Sequence, residues 1–211
     1  MAVAQRAGSR MSEQDTWESR YSVPEFIFGR EPNYFLQSCR ELLPASGKAL
    51  AIADGEGRNG VWLAEQGLSV VCLDFSESAQ RKATSLAKER GVKIDLVRAD
   101  IHSWSYPPEA FDVVIDIFTQ FSSPTERLKK WQGVHNTLKP GGLFILQGYT
   151  PRQLQFNTGG PKKIENLYTR QMLEEAFRDF HDVRIVEEER EMREGPAHSG
   201  MSAVIGLTAR R

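Results

Sequence analysis

An α/β fold built on a mainly parallel sheet, with helices on both faces, is predicted by three observations. Short apolar runs alternate with segments of helical periodicity, several runs end on an acidic residue, and a glycine-rich turn follows the first run. Seven strands are counted. In such sheets ligands bind beyond the carboxyl ends of the strands, so the chemistry is expected there.

The first strand is placed at 48–53 (KALAIA) and closes on Asp54-Gly55-Glu56-Gly57, after which Val61, Leu63 and Ala64 open a helix that Gly67 ends. The second strand, 69–73, ends at Asp74. Ser76 then caps a helix whose Ala79, Ala83, Leu86 and Ala87 recur at helical spacing until Gly91 stops it. Val92, Ile94 and Leu96 alternate into a third strand that finishes at Asp100, and residues 111–118 (FDVVIDIF) form a fourth. Ser123-Pro124-Thr125-Glu126 combines an N-cap, a proline in the first turn and a capping-box glutamate, with Leu128, Trp131 and Leu138 on one apolar face. Lys139-Pro140-Gly141-Gly142 turns the chain into a fifth strand at 143–148, followed by a polar loop at 149–163. Thr169 precedes a short helix with Leu173, Ala176 and Phe177, and 183–187 and 202–208 are the last two strands.

Composition narrows the function. The 211 residues carry 27 Lys+Arg against 28 Asp+Glu, a net charge of −1, with 40% apolar and 26% charged residues. This is ordinary globular composition, and it lacks the positive charge on which phosphate-backbone binding rests. No nucleic-acid or membrane partner is expected, and a small-molecule substrate is. Cys39 and Cys72 match no metal-ligand spacing, and no metal site is expected. A cytoplasmic location is the default expectation, and the state is a monomer or weak homodimer. Residues 1–15 read as a flexible tail, and 16–211 as one domain.

The segment ADGEGRNG (53–60) holds a literal G-x-G-x-x-G at Gly55, Gly57 and Gly60. Alone it is equally well a tight turn packing a helix on a strand. Asp54, Asp74 and Asp100, each at the end of a successive strand, supply acceptors suited to ribose hydroxyls and an exocyclic amine, and so to an adenosine-shaped ligand. Asp54 and Glu56 would repel a pyrophosphate but suit the cationic methionine end of S-adenosylmethionine, which is therefore favoured over a nicotinamide cofactor. Two other readings stay open: a non-catalytic S-adenosylmethionine-binding sensor or accessory protein, and an NAD(P)-dependent reductase.

With the acid-then-G-x-G turn and the acids after strands two and three, the chain resembles the class I S-adenosylmethionine-dependent methyltransferases. WESRYSVPEFIFGREPNYFL (17–36), GEGRN (55–59) and QLQFNTGGP (153–161) resemble, within them, the tellurite-resistance-like branch of small bacterial methyltransferases. The resemblance implies a Rossmann-like three-layer sandwich whose seven-stranded sheet ends with an antiparallel last strand beside the sixth. It also implies an N-terminal cover over the cofactor site, spanning 16–45 and including Trp17 and Tyr21. Gly55, Gly57, Asp74 and Asp100 carry over as cofactor contacts. Phe75 and Ser76 after strand two, Ile101, Ile117 and Phe118 join them by position. Many members have a glycine where this chain has Asp54, so the partner of the methionine amine is Asp54 or Glu56.

The acceptor is read from what is missing. The segment after strand four, DIFTQF (116–121), differs from the tetrapeptide with which amine-methylating relatives hold nucleobases, and Asp112 and Asp116 lie on one strand face. A soft nucleophile that needs no dedicated base, a thiol or a chalcogen oxyanion such as tellurite, fits better. Tyr149 and His198 are the candidate catalytic residues. Arg152, Asn157 and Thr158 are further candidates for the acceptor end, with 149–163 as a lid. Phe26 and Phe28 are hydrophobic cover or plain core. His102, His135 and His181 are read as structural or exposed, and the charged run 187–193 as a solvated strand end.

Overall fold

A computed structural model describes residues 12–211. Of the expected tail, residues 1–11 lie outside the described residues. The remainder is corrected: Ser12 caps a helix, α1 (Glu13–Tyr21), and its hydroxyl and the Asp15 carboxylate form a reciprocal capping box.

Seven strands form one sheet in the order β3-β2-β1-β4-β5-β7-β6. They are β1 (Lys48–Ile52), β2 (Ser69–Asp74), β3 (Asp95–Arg98), β4 (Phe111–Ile117), β5 (Leu138–Tyr149), β6 (His181–Arg193) and β7 (Ser199–Arg210). Neighbours from β3 through β5 pair in parallel. β7 lies antiparallel between β5 and β6, as the resemblance implied. The helices are α2 (Tyr34–Ser38), α3 (Arg58–Glu65), α4 (Glu77–Arg90), α5 (Pro124–Thr137) and α6 (Arg170–Ala176). None of the helices among the described residues is long and apolar enough to cross a membrane.

The alternation of β1 explains the layering. Leu50 and Ile52 enter a core with Phe111, Trp131, Phe144 and Phe177 on one face, while Ala49 and Ala51 enter another with Trp62, Leu63, Val113 and Ile145. Both faces of the strand are buried, so its sequence is continuously apolar. The caps fall where local sequence placed them: Ser76 on α4, Ser123 with Glu126 on α5, Thr169 on α6, and Gly91 in a left-handed C-cap.

Four expectations are revised. Leu128 is 63% exposed, and the inward face of α5 carries Lys130, Trp131 and Val134 instead. Lys130 can point inward because its ammonium lies 2.8 Å from the carboxylate of Asp116, both side chains being fully buried. The KPGG segment is no separate turn: β5 already pairs at Leu138, and residues 139–142 form the irregularity between the Phe111–Leu138 and Val113–Leu143 pairs. β6 and β7 extend well beyond the expected strands, and the connection between them shrinks to residues 194–198. β3 is an edge strand of four residues that stops at Arg98.

Candidate functional site

The loop leaving β1 is shaped by backbone geometry. Ala53, Gly55 and Gly57 have φ of +48°, +57° and +86°. Such a run of left-handed residues reverses the chain between strand and helix, and glycine adopts the conformation at least cost. Carboxylates fix the turn. Asp54 accepts from Gly60 N–H at 3.1 Å, and Asp74 accepts from Gly55 N–H at 2.9 Å and Ser76 N–H at 2.8 Å.

Both glycines are also required by close packing. A Cβ on Gly57 would stand 2.5 Å from Ala83 Cβ, and one on Gly55 would stand 2.7 Å from the Tyr21 hydroxyl. Gly57 is not among the residues around the cavity described below. Its position is fixed by the close packing of α3 on α4.

Beyond the ends of β1, β2, β4 and β5 lies a cavity of about 330 Å³. The N-terminal segment covers it. Trp17, Arg20 and Tyr21 from α1 and Phe28 from the following loop form that side. Trp17 and Tyr21 stack with centroids 5.7 Å apart, and the Arg20 guanidinium sits 4.5 Å over the Trp17 ring. Two acidic residues hold the segment down. Glu18 accepts from Ser76 Oγ at 2.6 Å and Ser78 N–H at 3.1 Å, at the positive end of α4. Glu56 accepts from the N–H groups of Ile27 and Phe28, each at 3.2 Å, and from Lys82 Nζ at 2.7 Å.

The opposite wall comes from β4, β5 and the β6–β7 connection. Phe118, at φ +56°, stands 4.7 Å by ring centroids from Tyr149 and 4.5 Å from His198. Gln120 holds the Tyr149 backbone from both sides: its Nε2 donates to Tyr149 O at 2.8 Å and its Oε1 accepts from Tyr149 N–H at 2.5 Å. His198 packs on Phe28 at 4.6 Å, and Ala197 N–H donates to Ile27 O at 2.9 Å, so the connection and the N-terminal segment meet over the cavity. Behind them Arg58 pairs with Glu194 at 2.7 Å, both nearly buried. Asn33 Nδ2 donates to Gln147 Oε1 at 2.7 Å and to Glu194.

Two ends of different electrostatic character result. At one, burial raises Asp54 to about 7 and Asp74 to about 6, although backbone donors pull both down. At the other, burial and the charges of Arg58 and Arg20 lower His198 to about 3, so its imidazole is neutral. Burial raises the Tyr149 phenol, with the Glu194 charge adding to it. Tyr149 Oη and His198 Nδ1 are buried and have no hydrogen-bond partner among the described residues.

The cavity gathers Trp17, Tyr21, Asp54, Gly55, Glu56, Asp74, Phe75, Ile117, Phe118, Tyr149 and His198 from the residues singled out in the sequence. It does not gather Gly57, Ser76, Asp100 or Ile101. Ser76 is the cap of α4, and Ile101 is a core residue. Asp100, 40% exposed, accepts from His102 N–H at 2.9 Å. Arg152 pairs with Glu189 at the surface, Thr158 Oγ1 donates to Met201 O, and Asn157 accepts from Lys162. His198, with a solvated turn as its alternative in the sequence, is buried. Arg20, Arg58, Asn59, Gln120 and Phe121 were missed, having no motif of their own; Gly159, Gly160 and Pro161 enter from the expected lid segment.

A carboxylate end suits a ligand bearing positive charge, and the aromatic rings and glycine-lined loop suit a flat heterocycle and a flexible chain. The donor set therefore fits S-adenosylmethionine and is poorly matched to a pyrophosphate.

Comparison with known proteins agrees. Residues 49–142 match the family described as "Methyltransferase domain". A 2-heptyl-1-hydroxyquinolin-4(1H)-one methyltransferase of Mycobacteroides abscessus is 26% identical over 170 residues, covering 76% of this chain and 75% of that protein. Thiocyanate methyltransferase 1 of Arabidopsis thaliana is 30% identical over 118 residues, and there the chain spans only 50% of the relative's length. Among solved structures, TehB from Haemophilus influenzae aligns with a TM-score of 0.68 at 14% identity, over 94% of this chain and 66% of that one. A protein described for conversion of a disulfide into a thioacetal in echinomycin biosynthesis aligns with a TM-score of 0.75 at 17% identity, over 94% and 91%. The match to the methyltransferase domain thus runs from β1 to the start of β5, the part of the sheet whose strand ends surround the cavity.

Proposed function

We propose that this chain transfers the methyl group of S-adenosylmethionine to a small soft nucleophile, a thiol or a chalcogen oxyanion such as tellurite. One observation carries the reading. A single cavity has buried carboxylates at one end and, at the other, two unpartnered polar atoms, Tyr149 Oη and His198 Nδ1, among aromatic rings.

Asp74 is assigned to the ribose hydroxyls, since each oxygen of an ionised carboxylate has a second lone pair beyond the backbone bond it already accepts. Asp54 is assigned to the methionine ammonium in preference to Glu56, whose oxygens are taken by Ile27, Phe28 and Lys82. Trp17, Tyr21, Phe75 and Ile117 are the apolar surfaces against which the cofactor is held. When bound, the cofactor supplies an electrophilic methyl group on a cationic sulfur. The chain positions the acceptor: Phe28, Phe118 and His198 bound its space, and Tyr149 Oη donates to it. The name of one similar protein, a thiocyanate methyltransferase, supports the soft-acceptor choice.

The test is turnover. Purified protein is incubated with S-adenosylmethionine and, in separate reactions, a thiol, tellurite and selenite, and S-adenosylhomocysteine is quantified. Many equivalents of product per protein with at least one of them is expected. Binding of the cofactor with no product beyond the rate in buffer would instead leave a binding protein.

A further inference from the structure

We infer that the acceptor reaches this cavity already as an anion and that Arg20 is its positioning counter-ion; this rests on the methyl-transfer reading above. The observations concern the acceptor end. Arg20, an exposed residue of α1, lines the cavity with its guanidinium carbon 4.5 Å from the Trp17 centroid and 5.8 Å from that of Phe28. Among the described residues it has no carboxylate partner, whereas Arg58, the other arginine on the cavity, is neutralised by Glu194 at 2.7 Å. The guanidinium over Phe28, Phe28 against His198 at 4.6 Å, and His198 edge-on to Tyr149 at 6.0 Å make one continuous wall. That wall offers one uncompensated positive charge and one phenolic donor.

Proton bookkeeping points the same way. A neutral acceptor would have to lose a proton to the wall, and the groups there are poor bases: the His198 imidazole gains a proton only near pH 3, and the buried Tyr149 phenol stays protonated. An anionic acceptor needs no base. Its lone pair forms the bond to the methyl carbon, the carbon–sulfur bond breaks with its electron pair left on sulfur, and no proton moves. A guanidinium stacked on aromatic rings keeps its edge free for an anion, and this geometry favours arginine over lysine.

The test uses the full chain loaded with S-adenosylhomocysteine, so that binding is read without turnover. One arm titrates 4-nitrothiophenolate by absorbance, and a second titrates selenite by calorimetry, which separates a thiolate from a chalcogen oxyanion. Uncharged 4-nitrothioanisole is the control. Wild-type protein should bind at least one anion. Arg20→Gln should weaken that binding tenfold or more, Arg20→Lys should keep part of it, and 4-nitrothioanisole should bind both variants as it binds wild type. Affinity for S-adenosylhomocysteine should stay within about twofold.

Arg20→Gln that leaves anion binding intact, or that weakens S-adenosylhomocysteine instead, would overturn the inference, the latter by assigning Arg20 to the cofactor carboxylate. A wild-type protein that binds neither anion overturns it too. Failure of the methyl-transfer reading looks different: wild-type protein would not bind S-adenosylhomocysteine at all, or would bind it and form no product.

Discussion

Lys82 Nζ lies 2.7 Å from Glu56 Oε1, and that same carboxylate receives the N–H groups of Ile27 and Phe28. One buried acid thus joins the glycine loop, α4 and the segment that covers the cavity. Nearly all of Glu56 is hidden, and its oxygens face protein donors.

Glu56→Ala should therefore destabilise the fold and loosen the cover together. Removing one partner of a buried ion pair costs about 3 kcal/mol. We expect a lower denaturant midpoint and faster proteolysis at 22–30, and Glu56→Gln should be milder, because an amide oxygen still accepts one N–H. Unchanged cleavage at 22–30 in Glu56→Ala would contradict this anchoring role.

Gly57 yields a second prediction. Its left-handed φ and the 2.5 Å that a Cβ would leave to Ala83 Cβ place the constraint between α3 and α4. Gly57→Ala should cost about 3 kcal/mol from overpacking and backbone strain. Adding Ala83→Gly should recover the packing share alone. If thermal unfolding shows no recovery in the double variant, the constraint lies elsewhere.

The buried pair Lys130–Asp116 separates charge pairing from fold. Asp116 also accepts from Trp131 Nε1 at 3.2 Å and from the Thr119 hydroxyl. Lys130→Met leaves an unpaired buried carboxylate and should cost about 3–5 kcal/mol, whereas Lys130→Met with Asp116→Leu should recover at least half. Equal midpoints for the single and double variants would show that the charge pairing is not what holds this site.

The raised carboxyls set a pH dependence. Asp54 near 7 and Asp74 near 6 stand above the unfolded value of 3.8, so protonation favours the ligand-free fold. That contribution is full below about pH 4 and is lost as pH rises through 6 to 7. His198 acts oppositely: lowered from 6.5 to about 3, it contributes stability above about pH 6.5 that is lost as pH falls. A cationic ligand favours ionised carboxylates. Affinity for S-adenosylmethionine should therefore fall as pH drops from 7.5 to 5.5, by up to about tenfold per unit for each proton coupled. Calorimetry in buffers of different ionisation enthalpy should register proton release, and proton uptake would reverse the assignment.

Local signals were legible in the sequence, and contacts between distant residues were not. Ser123 with Glu126, Ser76, Thr169 and Gly91 act within one helical turn, so their patterns sufficed for the helix ends. Leu128 misled because apolar spacing counts hydrophobic residues and is blind to Lys130 reaching Asp116 fourteen positions away. Asp54, Asp74, Tyr149 and His198 could be placed at one end of the sheet from strand boundaries alone. Arg20 and Gln120 could not, since α1 crosses the cavity by virtue of Glu18 binding Ser76 and Ser78, and Gln120 acts through the backbone of Tyr149. Asp100 shows the converse: it follows a strand end, yet it lies outside the cavity lining and its carboxylate accepts from His102 N–H.

The most direct measurement is calorimetric titration with S-adenosylhomocysteine of wild-type protein and of Asp74→Ala, with NADH as control. The account predicts micromolar binding to wild type, a loss of about 1.5–3 kcal/mol in the variant from the missing charge-assisted hydrogen bonds, and no heat with NADH. Equal affinity of the two proteins, with the variant folded, would contradict the site as assigned.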